Sequence, residues 1–182
     1  MSLASELMIA TPQRNETPFS QAVVLIVQQN ETGTFGVVLN RPANEQVKRL
    51  WRTMTGYPRS ESEDHISLGG PLSGPVFALH QDADCSEQKV ECGLYFATSP
   101  QNLKKLATQA TRPYKIFFGA VAWQIGQLEK EIESGAWVSC DSSKELIFAS
   151  HEFQWELSLR NYGRSLWKSI GIERFPINPE LN

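Results

Sequence analysis

Three stretches in which an apolar run meets glycines and a few polar side chains constrain the fold of this chain more than any other feature. They cover residues 36–42, 69–80 and 118–129. Glycine adopts backbone conformations that other residues resist, so apolar strands punctuated in this way end in tight loops. Polar side chains on such loops are positioned by the strands behind them. The three stretches therefore predict a sheet whose strand ends assemble a shallow site, and they do not define a reaction.

The length and composition of the chain allow one well-packed domain. With 182 residues, 41% of them apolar, the chain can bury about 70% of its unfolded surface. We therefore expect a single domain over residues 1–182. The net charge of −3 provides no general attraction to phosphate backbones or anionic membranes.

The sequence predicts a soluble, cytoplasmic protein. Residues 1–10 lack the basic stretch that begins a signal peptide, and no apolar run approaches the ~20 residues that span a bilayer. The cysteines, Cys85, Cys92 and Cys140, have no C-x-x-C spacing and suit a reducing compartment better than a disulfide framework.

Apolar runs bounded by glycine, proline and polar clusters predict the strands. We expect strands at residues 21–28, 34–40, 65–69, 75–81, 90–97, 114–120, 136–140 and 145–148. The first two are joined by a short polar segment and form a hairpin. Residues 57–64 are polar and aperiodic, which is typical of a solvated loop.

Helical spacing of apolar residues predicts the remaining elements. The expected helices are one from an N-cap at Asn44 to Gly56, one that begins at Ser99-Pro100, residues 124–134, and two short helices separated by Gly163. Trp51 should face the core. Hairpins mixed with helices indicate an α+β fold with a largely antiparallel sheet covered by helices.

Six segments, taken in order, resemble the AlgH family. They are Leu7-Met-Ile-Ala-Thr-Pro12, residues 19–27, Gly36-Val-Val-Leu-Asn40-Arg41-Pro42, Gly69-Gly70-Pro71, Leu79-His80 and residues 126–131. The likeness spans roughly residues 7–172, and the ordered set is specific although each segment alone is weak. The resemblance implies a bacterial, cytoplasmic, single-domain α+β protein whose sheet curls into a pseudo-barrel. It implies no known reaction and no catalytic residues, and the family's label as a transcriptional regulator rests on a link to alginate production.

The chain departs from the family pattern at three places. Gln21-Ala22 stands where the family often has Arg-Ser, and Gln29 stands where it often has His. Residues 119–123 read Gly-Ala-Val-Ala-Trp, whereas the family usually has Gly-Tyr-Ala-Gly-Trp. These differences remove a cation, an aromatic ring and a glycine from the expected pocket. We interpret the chain as a divergent member, in which a ligand of typical members need not bind.

Polar residues on the three stretches supply the predicted ligand site. It comprises Asn40, Arg41, Gly69, Gly70, Pro71, His80, Trp123, Gln127 and Glu131. The Arg41 fork can hold a carboxylate or phosphate with two hydrogen bonds. The structural alternative is that Asn40 caps backbone groups while Arg41 pairs with an acidic residue of the same domain.

The other two segments also have both a ligand-binding and a structural interpretation. The Gly69-Gly70 backbone either exposes N–H groups as an anion nest, with His80 across the next strand, or forms only a tight turn. Trp123, Gln127 and Glu131 are spaced four apart, so they lie on one helix face if the helix begins at Trp123. That face either contacts a ligand or belongs partly to the core.

Other chemistries find little support in the sequence. His80, Asp82 and Asp84 alternate along a strand but have no second ligand cluster, and no phosphate-loop or dinucleotide motif is present, so we predict neither a metal nor a cofactor. We assign no catalytic residue. A small basic edge is expected from Lys104, Lys105, Arg112 and Lys115, but without a recognition motif direct nucleic-acid binding is disfavoured.

The sequence therefore predicts a non-enzymatic binding or regulatory module whose partner is a protein or a small anionic ligand. The alternative is a hydrolase or transferase acting on a small anionic substrate, with His80 as its base. A direct DNA-binding regulator is the third hypothesis. The oligomeric state is left open.

Overall fold

The computed structural model describes residues 2–14, 17–56, 65–90, 93–109 and 111–169. The strands are β1 (Glu6–Ala10), β2 (Val23–Asn30), β3 (Gly33–Val38), β4 (Ile66–Leu68), β5 (Leu72–His80), β6 (Gln88–Val90), β7 (Leu94–Ala97), β8 (Tyr114–Trp123) and β9 (Trp137–Asp141). The helices are α1 (Glu45–Thr55), α2 (Pro100–Gln109), α3 (Gln127–Glu133), α4 (Lys144–Ile147) and α5 (His151–Ser169). Short 3-10 turns lie at Pro12–Arg14 and Ala83–Cys85.

All nine strands of the described residues belong to one sheet, whose order is β6-β7-β5-β8-β3-β2-β1-β9, with β4 added beside β8. Among the described strands, the β4–β8 pair is parallel and every other pair is antiparallel. Strand β8 connects the two halves of the sheet, because its residues 114–120 pair with β5 while residues 121–123 pair with β3. The predicted α+β fold with a largely antiparallel sheet is confirmed.

The sheet curls around one apolar cluster. Val90 of β6 and Cys140 of β9, from strands at opposite ends of the sheet order, both contribute to this cluster. Leu7 of β1 faces it, while its neighbour Met8 faces a second cluster that includes Leu128 of α3. Burial on both faces explains why the strand sequences are continuous apolar runs rather than alternating ones. The curled pseudo-barrel that the resemblance implied is therefore present.

The backbone of residues 69–70 crosses β8 at very short range. Gly69 N donates to Phe118 O and Gly69 O accepts from Val38 N, each at 2.8 Å. A Cβ on Gly69 would overlap Gly119 O, and a Cβ on Gly119 would lie 2.6 Å from Gly70 O. Gly119 also has a φ of +80°. Glycine is needed here because β8 changes pairing partner at this point while another segment of backbone lies directly against it.

Two helix predictions are confirmed by their caps and buried faces. In α1 the N-cap Asn44 accepts a hydrogen bond from Val47 N at 3.0 Å, and the helix ends at Gly56 in a left-handed conformation. Trp51 is buried against the core, as expected. Helix α2 begins at Pro100, the predicted first helical position.

The strand predicted at residues 145–148 is wrong. Residues Lys144–Ile147 form α4, because Ser143 acts as an N-cap whose Oγ accepts a hydrogen bond from Leu146 N at 3.3 Å. A local cap thus prevails over a short apolar run that resembles a strand.

Two further elements differ from their predictions. The tail forms one helix, α5, that continues through Gly163, because Trp155 and Leu159 anchor it to the central apolar cluster. The strand predicted at 90–97 is divided between β6 and β7, which pair with each other. The predicted loop at 57–64 lies outside the described residues. In the described ranges, no helix is both long enough and apolar enough to cross a bilayer.

Replacing Gly119 with alanine should lower the free energy of unfolding by at least about 2 kcal/mol, because a left-handed backbone and a steric overlap coincide there. Gly74→Ala is the matched control, since a Cβ at Gly74 has no neighbour within 4 Å, and it should change stability by less than about 0.5 kcal/mol. Urea denaturation of both variants measures the difference. Equal stability of the Gly119→Ala and Gly74→Ala variants would contradict the close approach of residues 69–70 to β8.

Candidate functional site

A cleft of about 430 Å³ lies between the end of β3 and the start of α5. Gln21, Asn40, Arg41 and Pro42 line it from the sheet, and His151, Glu152, Trp155 and Glu156 line it from the helix. Its volume falls within the range of about 300–1,000 Å³ that is usual for small-molecule sites. Two predicted site residues, Asn40 and Arg41, thus share a cleft with a helix that the sequence did not connect to them.

Asn40 holds the sheet wall of this cleft. Its buried amide accepts a hydrogen bond from Val23 N at 2.9 Å and donates one to Gln21 O at 2.7 Å. Gln21 has a φ of +55°, a left-handed conformation that costs a non-glycine residue about 1 kcal/mol. The Asn40 bonds stabilise that conformation, so the backbone-capping alternative for Asn40 is what the structure contains.

Arg41 is a half-buried cation with hydrogen-bond donors to spare. Its Nη2 donates to Ser20 O, and no carboxylate among the described residues forms an ion pair with it. Burial lowers the pKa of the guanidinium from its usual value. A guanidinium carries five N–H donors in a planar fork, so most of the Arg41 donors are left for a group in the cleft.

The helix wall is fixed by contacts from α5 to the sheet. Ser67 Oγ and His151 Nε2 are 2.9 Å apart, and Trp155 Nε1 donates to Ala10 O at 2.8 Å. Within α5, Glu156 pairs with Arg160 at 2.7 Å. These contacts occupy three of the four helix residues that line the cleft.

Glu152 differs from its neighbours on the helix wall. It is exposed in the first turn of α5, and it makes no hydrogen bond or ion pair with another described residue. Arg41 and Glu152 therefore line one cleft with opposite charges and are not paired with each other.

Lys115 lies buried behind the cleft. Its Nζ donates to Leu39 O at 3.3 Å, to Ala149 O at 3.2 Å and to Gln154 Oε1 at 3.3 Å. These acceptors are all neutral, and burial lowers the pKa of the ammonium to about 8. The prediction that Lys115 belongs to an exposed basic edge is wrong, because the side chain projects from β8 into the protein.

The glycine segment lies away from this cleft lining. The N–H of Gly69 is occupied by Phe118 O, and Gly70 packs against the backbone of Ala120. Pro71 is exposed at the start of β5. The Gly69–Gly70 backbone packs directly against β8 and has no role in this cleft. This arrangement corresponds to the tight-turn alternative.

His80 lies at the end of β5, opposite Tyr114 at the start of β8. It is fully buried, its Nδ1 accepts from Asp82 N at 3.3 Å, and burial lowers the pKa of the imidazole. Trp123 lies at the other end of β8, a strand of 10 residues that spans about 30 Å. His80 and Trp123 therefore cannot belong to one small-molecule site.

Trp123, Gln127 and Glu131 do not share a helix face, because α3 begins only at Gln127 and Trp123 ends β8. Gln127 Nε2 donates to Glu131 Oε1 at 3.0 Å, and Glu131 Oε2 accepts from Trp137 Nε1 at 2.7 Å. Trp123 lines a second cleft, of about 340 Å³, beside the β2–β3 hairpin. Of the nine predicted residues, Asn40 and Arg41 line the Arg41 cleft, and the other seven lie outside its lining.

The described residues include two thiols and carry no metal-binding cluster. Cys85 and Cys140 are buried free thiols. Within the part of the chain that the structure describes, no group of three or more His, Cys, Asp or Glu side chains is arranged to hold a metal ion.

The fold is of the α+β class, with a curled, largely antiparallel sheet and a polar cleft between this sheet and a long helix. The chain belongs to the AlgH-like family, whose model matches residues 7–167. A UPF0301 protein of Idiomarina loihiensis is 30% identical over 177 residues, which cover 92% of this chain and 95% of the relative. A UPF0301 protein of Chlorobaculum parvum is 31% identical over 170 residues, with 90% and 88% covered.

Solved structures agree with this assignment. The solution structure of the AlgH protein from Pseudomonas aeruginosa superposes with a TM-score of 0.70 at 26% identity, covering 92% of each chain. A crystal structure of a protein from Corynebacterium diphtheriae has the same fold, with a TM-score of 0.67 at 22% identity over 86% of this chain and 85% of the other. The resemblance inferred from the six sequence segments is confirmed.

The buried Lys115 predicts a specific dependence of stability on pH. Its pKa is about 8 in the folded protein, against 10.5 for an unperturbed lysine, so the unfolded chain binds the proton more tightly between these values. The free energy of unfolding should therefore rise as the pH increases from 8 to 10.5, by up to about 3 kcal/mol relative to Lys115→Met. Below pH 8 the difference between the two proteins should be constant.

Urea denaturation of the wild type and the Lys115→Met variant across this pH range measures the effect. Lys89→Met, which removes an exposed lysine, is the control and should follow the wild type. Parallel curves for the wild type and Lys115→Met would contradict the depressed pKa.

Proposed function

We propose that this chain is a non-enzymatic binding module that holds a small ligand in the Arg41 cleft through an anionic group on the ligand. The observation that carries the proposal is the state of Arg41, a half-buried cation at a cleft wall with one backbone acceptor and no carboxylate partner among the described residues. A cation that is partly removed from water and left with free donors is suited to a carboxylate or phosphate.

The surroundings of Arg41 favour a preformed site. Asn40 fixes the backbone on the sheet side, and Trp155 and His151 fix the helix on the other side. A ligand entering the cleft would therefore not have to order its walls, which reduces the entropic cost of binding.

The same contacts favour binding over catalysis. The Ser67–His151 pair has the composition of a nucleophile and its base, but Ser67 has no exposed surface, so its hydroxyl is out of reach of a substrate. The bond orients His151 instead. His80, the base on which the hydrolase hypothesis depended, is buried at the far end of β5 and lines neither of the two clefts.

A nuclear magnetic resonance titration tests the proposal. The probes are acetate, succinate, inorganic phosphate and glycine, and the reporters are the Arg41 Nε–H and Trp155 Nε1–H signals. We expect at least one probe to shift both signals, and Arg41→Gln to weaken its binding about tenfold or more, because charge-assisted hydrogen bonds contribute about 1.5–3 kcal/mol.

Arg112→Gln is the matched control. Arg112 also donates to a backbone carbonyl, that of Gln81 at 3.1 Å, but it is exposed and does not line the cleft. This variant should bind like the wild type. The proposal fails if Arg41→Gln leaves binding unchanged, or if the shifts map to the second cleft at Trp123.

A further inference from the structure

We infer that the ligand of the Arg41 cleft is a zwitterion of the α-amino acid type, whose carboxylate is held by Arg41 and whose ammonium group is held by Glu152. This inference rests on the proposed function and specifies the ligand class of the same site. It starts from the observation that two oppositely charged side chains line one cleft without pairing with each other.

The charges of the cleft disfavour a simple anion. Arg41 contributes one positive charge to the lining, whereas Glu152 and Glu156 contribute two negative charges. Glu156 is partly compensated by Arg160, but Glu152 has no such partner in the described chain. An anion bound at Arg41 would therefore experience repulsion from Glu152 across the cleft, and that repulsion discriminates against it.

A ligand that carries both charges removes this conflict. Its carboxylate accepts from the free Arg41 donors while its ammonium donates to Glu152, so both side chains gain the partner that the protein does not supply. In an α-amino acid the two charged groups are attached to one carbon, which suits a small cleft with a cation on one wall and a carboxylate on the other.

The remaining lining offers a place for the ligand side chain. Pro42 and the half-buried indole of Trp155 present apolar surface at the same cleft. The Trp155 N–H is already used by Ala10 O, so this ring contributes packing rather than a hydrogen bond. We therefore choose leucine as the first probe.

Three compounds test the contributions of the carboxylate and the ammonium group separately. Leucine carries both, 4-methylpentanoate lacks the ammonium group, and leucinamide lacks the carboxylate. Calorimetric titration of the wild type should show leucine binding at least about tenfold more tightly than either analogue, because each analogue loses one charge-assisted interaction.

Glu152→Gln tests the assignment of the ammonium group. The preference for leucine over 4-methylpentanoate should fall below about threefold, while 4-methylpentanoate should bind as tightly as before or more tightly. Glu133→Gln, which removes an exposed carboxylate on α3, is the control and should retain the preference. Far-ultraviolet circular dichroism of each variant confirms that α5 is intact.

The outcomes distinguish the failure of this inference from the failure of the proposed function on which it rests. If 4-methylpentanoate binds in an Arg41-dependent manner but leucine binds no more tightly, the inference of a zwitterionic ligand is wrong. The proposed binding function is then retained. A leucine preference that persists in Glu152→Gln also overturns the role of Glu152. If neither compound binds in a way that depends on Arg41, both the inference and the proposed function fail.

Discussion

The Lys115 ammonium donates to three neutral oxygens and thereby connects the sheet to α5. The cleft lies between these two elements, so its shape depends on this contact. The oxygens come from the residue after β3, the segment before α5 and the side chain of Gln154 within α5. Gln154 also donates to Leu146 O and Ile147 O, so the same network includes α4. A buried charge without a counter-ion is costly, and the depressed pKa of Lys115 is the sign of that cost. The surrounding hydrogen bonds and the apolar packing of α5 offset it.

Holding α5 in this position places a helix wall opposite the end of β3. The sheet wall is shaped by the Asn40 bonds to Gln21 and Val23, so the two walls are fixed by independent polar contacts. Gln21 also lines the cleft, and its neutral amide adds no charge to the lining beside Arg41 and Glu152.

Local signals in the sequence were sufficient for several elements. Asn44 and Gly56 define α1 because a helix cap and a left-handed terminus involve only neighbouring residues. The location of Asn40 and Arg41 beside a cleft was also predicted, since a strand end with polar residues is recognisable locally. Helix α4 was missed because the Ser143 cap competes with a run that also resembles a strand.

The positions of the other predicted residues depend on contacts between strands and helices that are distant in the sequence. Such contacts cannot be predicted from one sequence. The Gly69–Gly70 segment meets Gly119 only through the sheet, so its glycines could not be distinguished from an anion nest. His80 and Trp123 are separated by the length of β8, which is known only once β5 and β3 are paired with it. Glu152 and Trp155 lie far along the chain from Arg41, and they become its neighbours only because α5 crosses the end of β3.

The central claim is that Arg41 and Glu152 are opposed across a preformed cleft and receive the two charged groups of one ligand. A crystal structure of the full chain grown with leucine tests this most directly. The account predicts density for the amino acid in the cleft, with its carboxylate on the Arg41 guanidinium and its ammonium on Glu152, and with α5 in the same position. A structure in which Arg41 and Glu152 pair directly with each other, leaving no space between them, would contradict it.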